Sequence, residues 1–144
     1  MRFVDVNVLV YAHRPEVPHH DRYRSWLEET RRADEPLGLA SVVLSGFIRV
    51  VTHPRVFREP TPLDVAFSFS DALRTGANVL AADPGPRHWA IFERLCRTGE
   101  ARGNLVPDAY VAAIAMERGA TLCSADRGFA RFPELSWIHP LDAL

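Results

Sequence analysis

Short apolar runs alternate with amphipathic helical segments along the whole chain, and this alternation limits the fold more than any other feature. Strands that alternate with helices in this way indicate an α/β protein with a parallel sheet covered by helices on both faces. The predicted strands are residues 3–6, 37–40, 79–82, 121–123 and 136–138. Helices are predicted after the first strand through Ala12, then over 19–32, 42–51, 63–74, from Trp89 to the residue before Gly99, and over 108–118.

Several local details follow from the same patterns. Thr61 is expected to be the N-cap of the fourth helix, with Pro62 at its first position. The three tryptophans lie at apolar-face spacing and are expected to be core or dimer contacts. The histidines beside prolines or arginines, His13, His53 and His88, are expected to be loop residues.

The basic residues exclude one group of mechanisms. All 17 are arginines, and without a lysine the chain cannot use a Schiff base, a Walker-type phosphate lysine or a lysine beside a phosphoaspartate. A formal net charge of −1 argues against a broadly basic nucleic-acid surface, but it leaves room for a local groove lined by arginine. With 144 residues, 47% of them hydrophobic, we expect a single ordered domain over 1–144.

The cellular setting is predicted from weaker signals. Cys96 and Cys123 lie far apart in apolar stretches, so we expect two buried thiols in a reducing cytoplasm. The first apolar run is short and contains Asp5, which predicts no signal peptide, and no run is long enough to span a membrane.

Carboxylates mark the expected site. In parallel sheets, ligands bind beyond the carboxyl ends of the strands. Asp5 lies at the end of the first predicted strand, Asp126 closely follows the fourth, and Asp108 opens a helix. A carboxylate in the apolar run around Asp5 costs several kcal/mol unless it is paired, hydrogen-bonded or bound to a metal ion. Period-two geometry places Asn7 on the same side as Asp5.

Each of these acids has a structural alternative. Asp5 fits helix capping, and Asp108 fits an N-cap or a first-turn aspartate that complements the helix dipole. Asp126 fits a turn residue paired with Arg127 or Arg131. Together, however, the three predict a site for a hard divalent cation, Mg²⁺ or Mn²⁺, that retains several waters. One such water could be activated to attack a phosphodiester.

The same residues lie in longer motifs, which are DVNVL at 5–9, PDA at 107–109 and SADRGF at 124–129. Further motifs are YAHRP at 11–15, GFIRVVTHPRVF at 46–57 and PRHW at 86–89. The first set resembles a known family, the PIN domain, and the second set resembles a narrower group within it, the mycobacterial VapC-type ribonuclease toxins.

The resemblance implies a three-layer fold with a short parallel sheet flanked by helices. It implies a Mg²⁺- or Mn²⁺-dependent endoribonuclease, a toxin of a type II toxin–antitoxin pair that works as a homodimer and is neutralised by a VapB-type antitoxin. Matched position by position, Asp5, Asp108 and Asp126 are its metal-binding and catalytic acids. Asn7 and Ser124 are the polar positions that support them.

Two departures from the family pattern bear on the metal. The family's second acid has no counterpart here, and Ser45 stands nearest to its position. Gly128 occupies a position where many relatives have another aspartate. With fewer negative ligands, we expect one well-held ion and at most a weak second one.

The RNA-contact residues and the competing functions complete the expectations. Arg14, Arg49, Arg55 and Arg127 are candidate phosphate contacts, although each could instead pair with a surface acid. A catalytically weak PIN scaffold that binds RNA or a partner without cleavage is the main alternative. A phosphoacceptor switch is a third class, and the missing lysine argues against it.

Overall fold

The computed structural model describes residues 1–142. In chain order the elements are β1 (Arg2–Val4), α1 (Val6–His13), α2 (His20–Arg32), β2 (Leu37–Leu39), α3 (Ser41–Val51), α4 (Leu63–Arg74), β3 (Val79–Ala81), α5 (His88–Thr98), α6 (Leu105–Glu117), β4 (Thr121–Cys123), a 3₁₀ segment (Arg127–Arg131) and β5 (Trp137–Ile138). The predicted alternation of strands and helices is confirmed, with differences of a few residues at the ends.

The strands form one sheet in the order β3-β2-β1-β4-β5, and all neighbouring pairs are parallel. The central strand β1 contributes Phe3 and Val4, both fully buried. The alanines Ala109, Ala112 and Ala113 of α6 are also fully buried. Because their side chains are small, α6 can approach β4 and α5 closely, which fixes the position of its first turn.

Two boundary predictions were wrong in ways that affect the site. The helix α1 begins at Val6, so Asp5 is its N-cap and Asn7 lies on the helix rather than on a strand. The period-two argument that paired these two side chains therefore does not apply. The helix α6 begins at Leu105 rather than at Asp108, so Asp108 does not cap it but lies within its first turn, which confirms the first-turn alternative.

Other corrections concern single residues. Thr61 does not cap α4; Pro62 occupies that position without a side-chain bond, and Thr61 instead contacts Arg14. His88 is buried and contacts the Tyr110 carbonyl oxygen, because α5 begins there rather than after a loop.

The predictions that the tryptophans and cysteines are buried are confirmed only in part. Trp26 is buried and Trp137 is half-buried, whereas 67% of Trp89 is exposed. Cys123 is buried and burial raises the pKa of its thiol to about 11, whereas Cys96 is only partly buried.

Candidate active site

The candidate site lies where the order of the strands reverses. The chain runs from β1 outward to β2 and β3, and then returns to place β4 on the other side of β1. Such a switch leaves a crevice beyond the carboxyl ends of the two strands. A hollow of about 250 Å³ lies there, lined by Asp5, Val6, Asn7, Val10, Tyr11, Val50, Asp108 and Asp126. The three predicted acids therefore line one hollow.

Asp5 is the buried acid of this hollow. Its backbone N–H donates to the Cys123 carbonyl oxygen at 3.0 Å, which ties the end of β1 to the end of β4. Its Oδ1 accepts from the Val6 N–H at 2.8 Å as the α1 cap, and its Oδ2 accepts from the Ser124 hydroxyl at 2.7 Å. The capping role and the position in the site thus coexist, since the two oxygens point to different partners.

Ser124 and Asn7 form a polar clip between β4 and α1. The Asn7 amide donates to the Ser124 hydroxyl oxygen at 3.2 Å and to Asp5 Oδ2 at 3.4 Å, and its Oδ1 accepts from the Ala125 N–H at 3.1 Å. The Ser124 hydroxyl also accepts from the Asp126 N–H at 3.1 Å. Each polar group of this clip has a partner, so the clip fixes the orientation of the Asp5 carboxylate.

Asp126 and Asp108 are held less tightly. Asp126 Oδ1 accepts from the Gly128 N–H at 2.8 Å in a local turn, so its turn role is present, whereas the predicted pairing with Arg127 or Arg131 is absent from the ion pairs of residues 1–142. Asp108 is half-buried, and within the described part of the chain no hydrogen bond restrains its carboxylate. Their side chains are therefore freer to adjust than that of Asp5.

Burial and mutual repulsion disfavour negative charge in the hollow. Burial raises the pKa of Asp5, against the hydrogen bonds from Ser124 and Val6, and the Asp126 charge raises it further. Burial also raises the pKa of Asp108, and the charges of Asp126 and Asp5 add to this effect. A bound cation would relieve this repulsion.

The chemistry of the donors fits a hard divalent cation, but the side chains do not already form a complete ligand set. In residues 1–142, no group of three His, Cys, Asp or Glu side chains is gathered closely enough to hold a metal ion. Carboxylate oxygens remain available on Asp108 and Asp126, beside the fixed Asp5. The arrangement suits an ion that takes part of its coordination from water, as Mg²⁺ commonly does.

The helix that follows β2 adds no acid to the hollow. Ser45, nearest to the family's second acid, lies on α3 in a separate apolar groove with Val42, Gly46 and Arg49. Val50 is the residue of α3 that reaches the hollow. Gly128 supplies only its backbone, and a Cβ there would lie 2.9 Å from Asp126 Oδ1.

Arg14 does not match its prediction as an RNA contact. It is 9% exposed, and its guanidinium donates to the Thr61 hydroxyl at 2.9 Å and to the Glu59 carbonyl oxygen at 2.8 Å. It also pairs with Glu16 at 2.6 Å and lies 4.3 Å above the centre of the Phe57 ring. Arg14 therefore holds the segment between α3 and α4 against α1.

The other predicted arginines are exposed. Arg127 forms a two-pronged ion pair with Asp142, at 2.8 and 3.1 Å, which occupies its guanidinium. Arg49 and Arg55 have no carboxylate partner within residues 1–142, and Arg49 lines the apolar groove beside α3.

One basic residue near the hollow was not among the predicted contacts. Arg131 ends the 3₁₀ segment, and its positive charge partly offsets the rise in the pKa of Asp108 that burial and the neighbouring acids cause. The only signal for Arg131 in the sequence is its proximity to Asp126, which fits a surface ion pair equally well.

Comparisons with known proteins agree with the geometry. Residues 2–135 match the family model described as PIN domain. The chain is 53% identical to ribonuclease VapC43 of Mycobacterium tuberculosis over 99% of this chain and 97% of that protein, and 39% identical to ribonuclease VapC25 of the same species over 97% and 99%. The fold is similar to that of VapBC2 from Rickettsia felis, solved bound to a DNA fragment from its promoter, with a TM-score of 0.69, 21% identity, and coverage of 95% of this chain and 96% of that one. No helix within residues 1–142 is both long and apolar enough to cross a membrane.

Proposed function

The chain belongs to the PIN-domain family and, within it, to the VapC ribonucleases, and we propose that it is a metal-dependent endoribonuclease toxin. The observation that carries the proposal is the meeting of Asp5, Asp108 and Asp126 in one hollow at the switch in strand order. The two relatives named above are both called ribonucleases, which supports the reaction class.

The three acids would share the binding of Mg²⁺ or Mn²⁺. A bound ion would supply positive charge that stabilises the negative charge developing in the transition state of phosphodiester cleavage and favours ionisation of a nucleophilic water. Asp5 would be the fixed ligand, because its cap and the Ser124 bond hold it in place. Asp108 and Asp126, held less tightly, would adjust to the ion and its waters.

Asn7 and Ser124 would act on the site through Asp5. Their hydrogen bonds favour the ionised carboxylate, against the cost of its burial. They also keep one Asp5 oxygen from rotating away from the hollow. Both are therefore positioning residues.

The proposed partner is a VapB-type antitoxin. Support comes from solved VapBC complexes that share this fold, including VapBC2 from Rickettsia felis. An acidic hollow without its cation attracts a basic side chain, which is the chemistry by which an antitoxin peptide would block it. We also propose a homodimer, and the exposed Trp89 supports an interface on α5.

Cleavage of single-stranded RNA by the purified protein tests the function. Asp5→Asn and Asp108→Asn should abolish cleavage in Mg²⁺ and toxicity in cells, with a circular dichroism spectrum that matches the wild type. The matched control is Asp64→Asn, an exposed acid in the first turn of α4, which should remain active.

The same experiment separates the scaffold alternative. Wild-type protein should cleave in Mg²⁺ or Mn²⁺ and be inactive in EDTA. RNA that is bound but stays intact in both metals would refute the nuclease function and favour the scaffold. Cleavage that survives Asp108→Asn would refute the assignment of the site.

A further inference from the structure

Arg131 is attached to the acid hollow through a single residue. Its Nε donates to the Gly128 carbonyl oxygen at 3.1 Å, and the Gly128 N–H donates to Asp126 Oδ1 at 2.8 Å. Gly128 thus links a guanidinium to a carboxylate that lines the hollow. The Nε bond fixes the base of the guanidinium and leaves the two terminal nitrogens available.

The charge of Arg131 is not neutralised by an acid in the described chain. None of the ion pairs formed among residues 1–142 includes it, and its side chain is exposed. Arg127, four residues earlier, differs because Asp142 occupies both of its terminal nitrogens. Within residues 1–142, Arg131 is therefore an arginine beside the hollow whose guanidinium has no carboxylate partner.

The electrostatic balance of the hollow gives this guanidinium a role. Three carboxylates repel an approaching RNA phosphate, and one divalent cation leaves one of their negative charges uncompensated. Arg131 Nε is bonded to the same Gly128 whose N–H donates to Asp126 Oδ1, so the guanidinium lies beside this site. A guanidinium at the rim would compensate the remaining charge and hold a phosphate oxygen pair in its fork.

We propose that Arg131 binds a phosphate of the RNA substrate at the rim of the hollow formed by Asp5, Asp108 and Asp126. This inference rests on the proposed ribonuclease function and adds a substrate-binding residue to it. The sequence predicted Arg14 and Arg127 as phosphate contacts instead. Arg14 is bonded to Thr61 in the interior, and Arg127 is paired with Asp142.

RNA binding in EDTA tests the proposal independently of cleavage. A fluorescein-labelled single-stranded RNA of mixed sequence is titrated with the metal-free protein, and the dissociation constant is measured by anisotropy at several salt concentrations. The slope of log K against log salt concentration is negative, and loss of one phosphate contact reduces its magnitude by about 0.7 for single strands. Arg131→Ala should show this decrease and bind about three- to tenfold more weakly.

Two further variants make the result specific. Arg131→Lys keeps the charge but not the fork, so the slope should recover while the affinity recovers only in part. Arg127→Ala, in the same 3₁₀ segment, should leave both nearly unchanged. Melting temperatures within a few degrees of the wild type show that the variants are folded.

The possible failures are distinguishable. An unchanged slope and affinity for Arg131→Ala, or an equal loss for Arg127→Ala, would overturn the role of Arg131 while cleavage by the wild type still stands. A wild type that binds RNA with the expected Arg131 dependence but never cleaves it would refute the nuclease function alone. A wild type that does not bind RNA would overturn the Arg131 inference.

Discussion

The Ser124 hydroxyl donates a 2.7 Å hydrogen bond to Asp5 Oδ2 and joins two residues at opposite ends of the chain. The same hydroxyl accepts from Asn7 and from the Asp126 backbone, so one oxygen connects β1, α1 and β4. One buried side chain therefore orients the Asp5 carboxylate and the backbone of Asp126 together.

Replacing this hydroxyl should cost both stability and activity. Ser124→Ala leaves the Asp126 N–H without its partner and Asp5 with one donor fewer, so we expect a loss of about 1–3 kcal/mol in the free energy of unfolding. RNA cleavage should fall by more than the folded fraction does, since Asp5 is no longer fixed. Chemical denaturation and initial cleavage rates measure the two effects.

The matched control is Ser70→Ala. Ser70 is also buried, but its hydroxyl donates only to the Ala66 carbonyl oxygen within its own helix. Its removal should change stability by less than 1 kcal/mol and leave cleavage unchanged. Equal behaviour of the two variants would contradict the importance of the clip.

The acids of the hollow should destabilise the metal-free protein at neutral pH. The pKa of Asp108 is raised in the folded state, so its ionisation costs stability as pH rises above its ordinary value of 3.8. Asp108→Asn should therefore raise the melting temperature in EDTA at pH 7 by about 1 °C, because solvent screens much of the repulsion.

The sign of this effect can be checked with pH. Well below pH 3.8 the carboxyl group is protonated in both states, so the advantage of Asp108→Asn should disappear. Excess Mg²⁺ at pH 7 should reverse the order, since it stabilises only the wild type. A variant that melts below the wild type in EDTA at pH 7 would contradict the repulsion argument.

Arg14 should be a stability residue and not an RNA contact. Arg14→Ala removes its bonds to Thr61 and Glu59 and its packing on Phe57, with an expected loss of about 2–3 kcal/mol. For the folded fraction, RNA affinity should be unchanged.

Thermal melting and RNA anisotropy test this assignment. Arg49→Ala, an exposed arginine in the last turn of α3, is the control and should melt within 1–2 °C of the wild type. A weaker RNA affinity for Arg14→Ala at an unchanged melting temperature would restore the sequence-based prediction.

Gly46 should tolerate no side chain, because α3 approaches α1 there. A Cβ at this position would lie 2.9 Å from Val6 Cγ2. Val6 is the residue whose N–H donates to Asp5, the N-cap of α1. Alanine improves helix propensity by up to about 1 kcal/mol, but the clash should outweigh this gain and destabilise Gly46→Ala by about 1–2 kcal/mol.

Ser45→Ala is the neighbouring control for this experiment. Ser45 is exposed, so alanine should be neutral or slightly stabilising at this position. Urea denaturation compares both variants with the wild type. A Gly46→Ala variant more stable than the wild type would mean that Val6 moves aside without cost.

The amount that could be predicted differs between the fold and the site. The alternation of strands and helices gave the α/β class and most element boundaries, because burial periodicity is a local property. The expected location at the strand ends also placed Asp5, Asp108 and Asp126 beside one another. Their roles in binding a metal and cleaving RNA stay predictions.

The sequence could not show how individual polar side chains are paired. Asn7 reaches Asp5 from the first turn of a helix and not along a strand, because α1 begins at Val6. Arg14 lies in the interior since Thr61 and Glu59, far along the chain, accept its hydrogen bonds. A local pattern contains no information on such distant partners.

By itself, then, the sequence determined the type of sheet, the family and the group of acids beyond the strands. The tertiary structure alone decided which arginine remains free near those acids, because Asp142 occupies Arg127 while Arg131 is held only by a backbone oxygen. The physical reason is that hydrophobic periodicity and composition indicate which residues are buried. The partner of each charged side chain depends instead on how separate elements pack against one another.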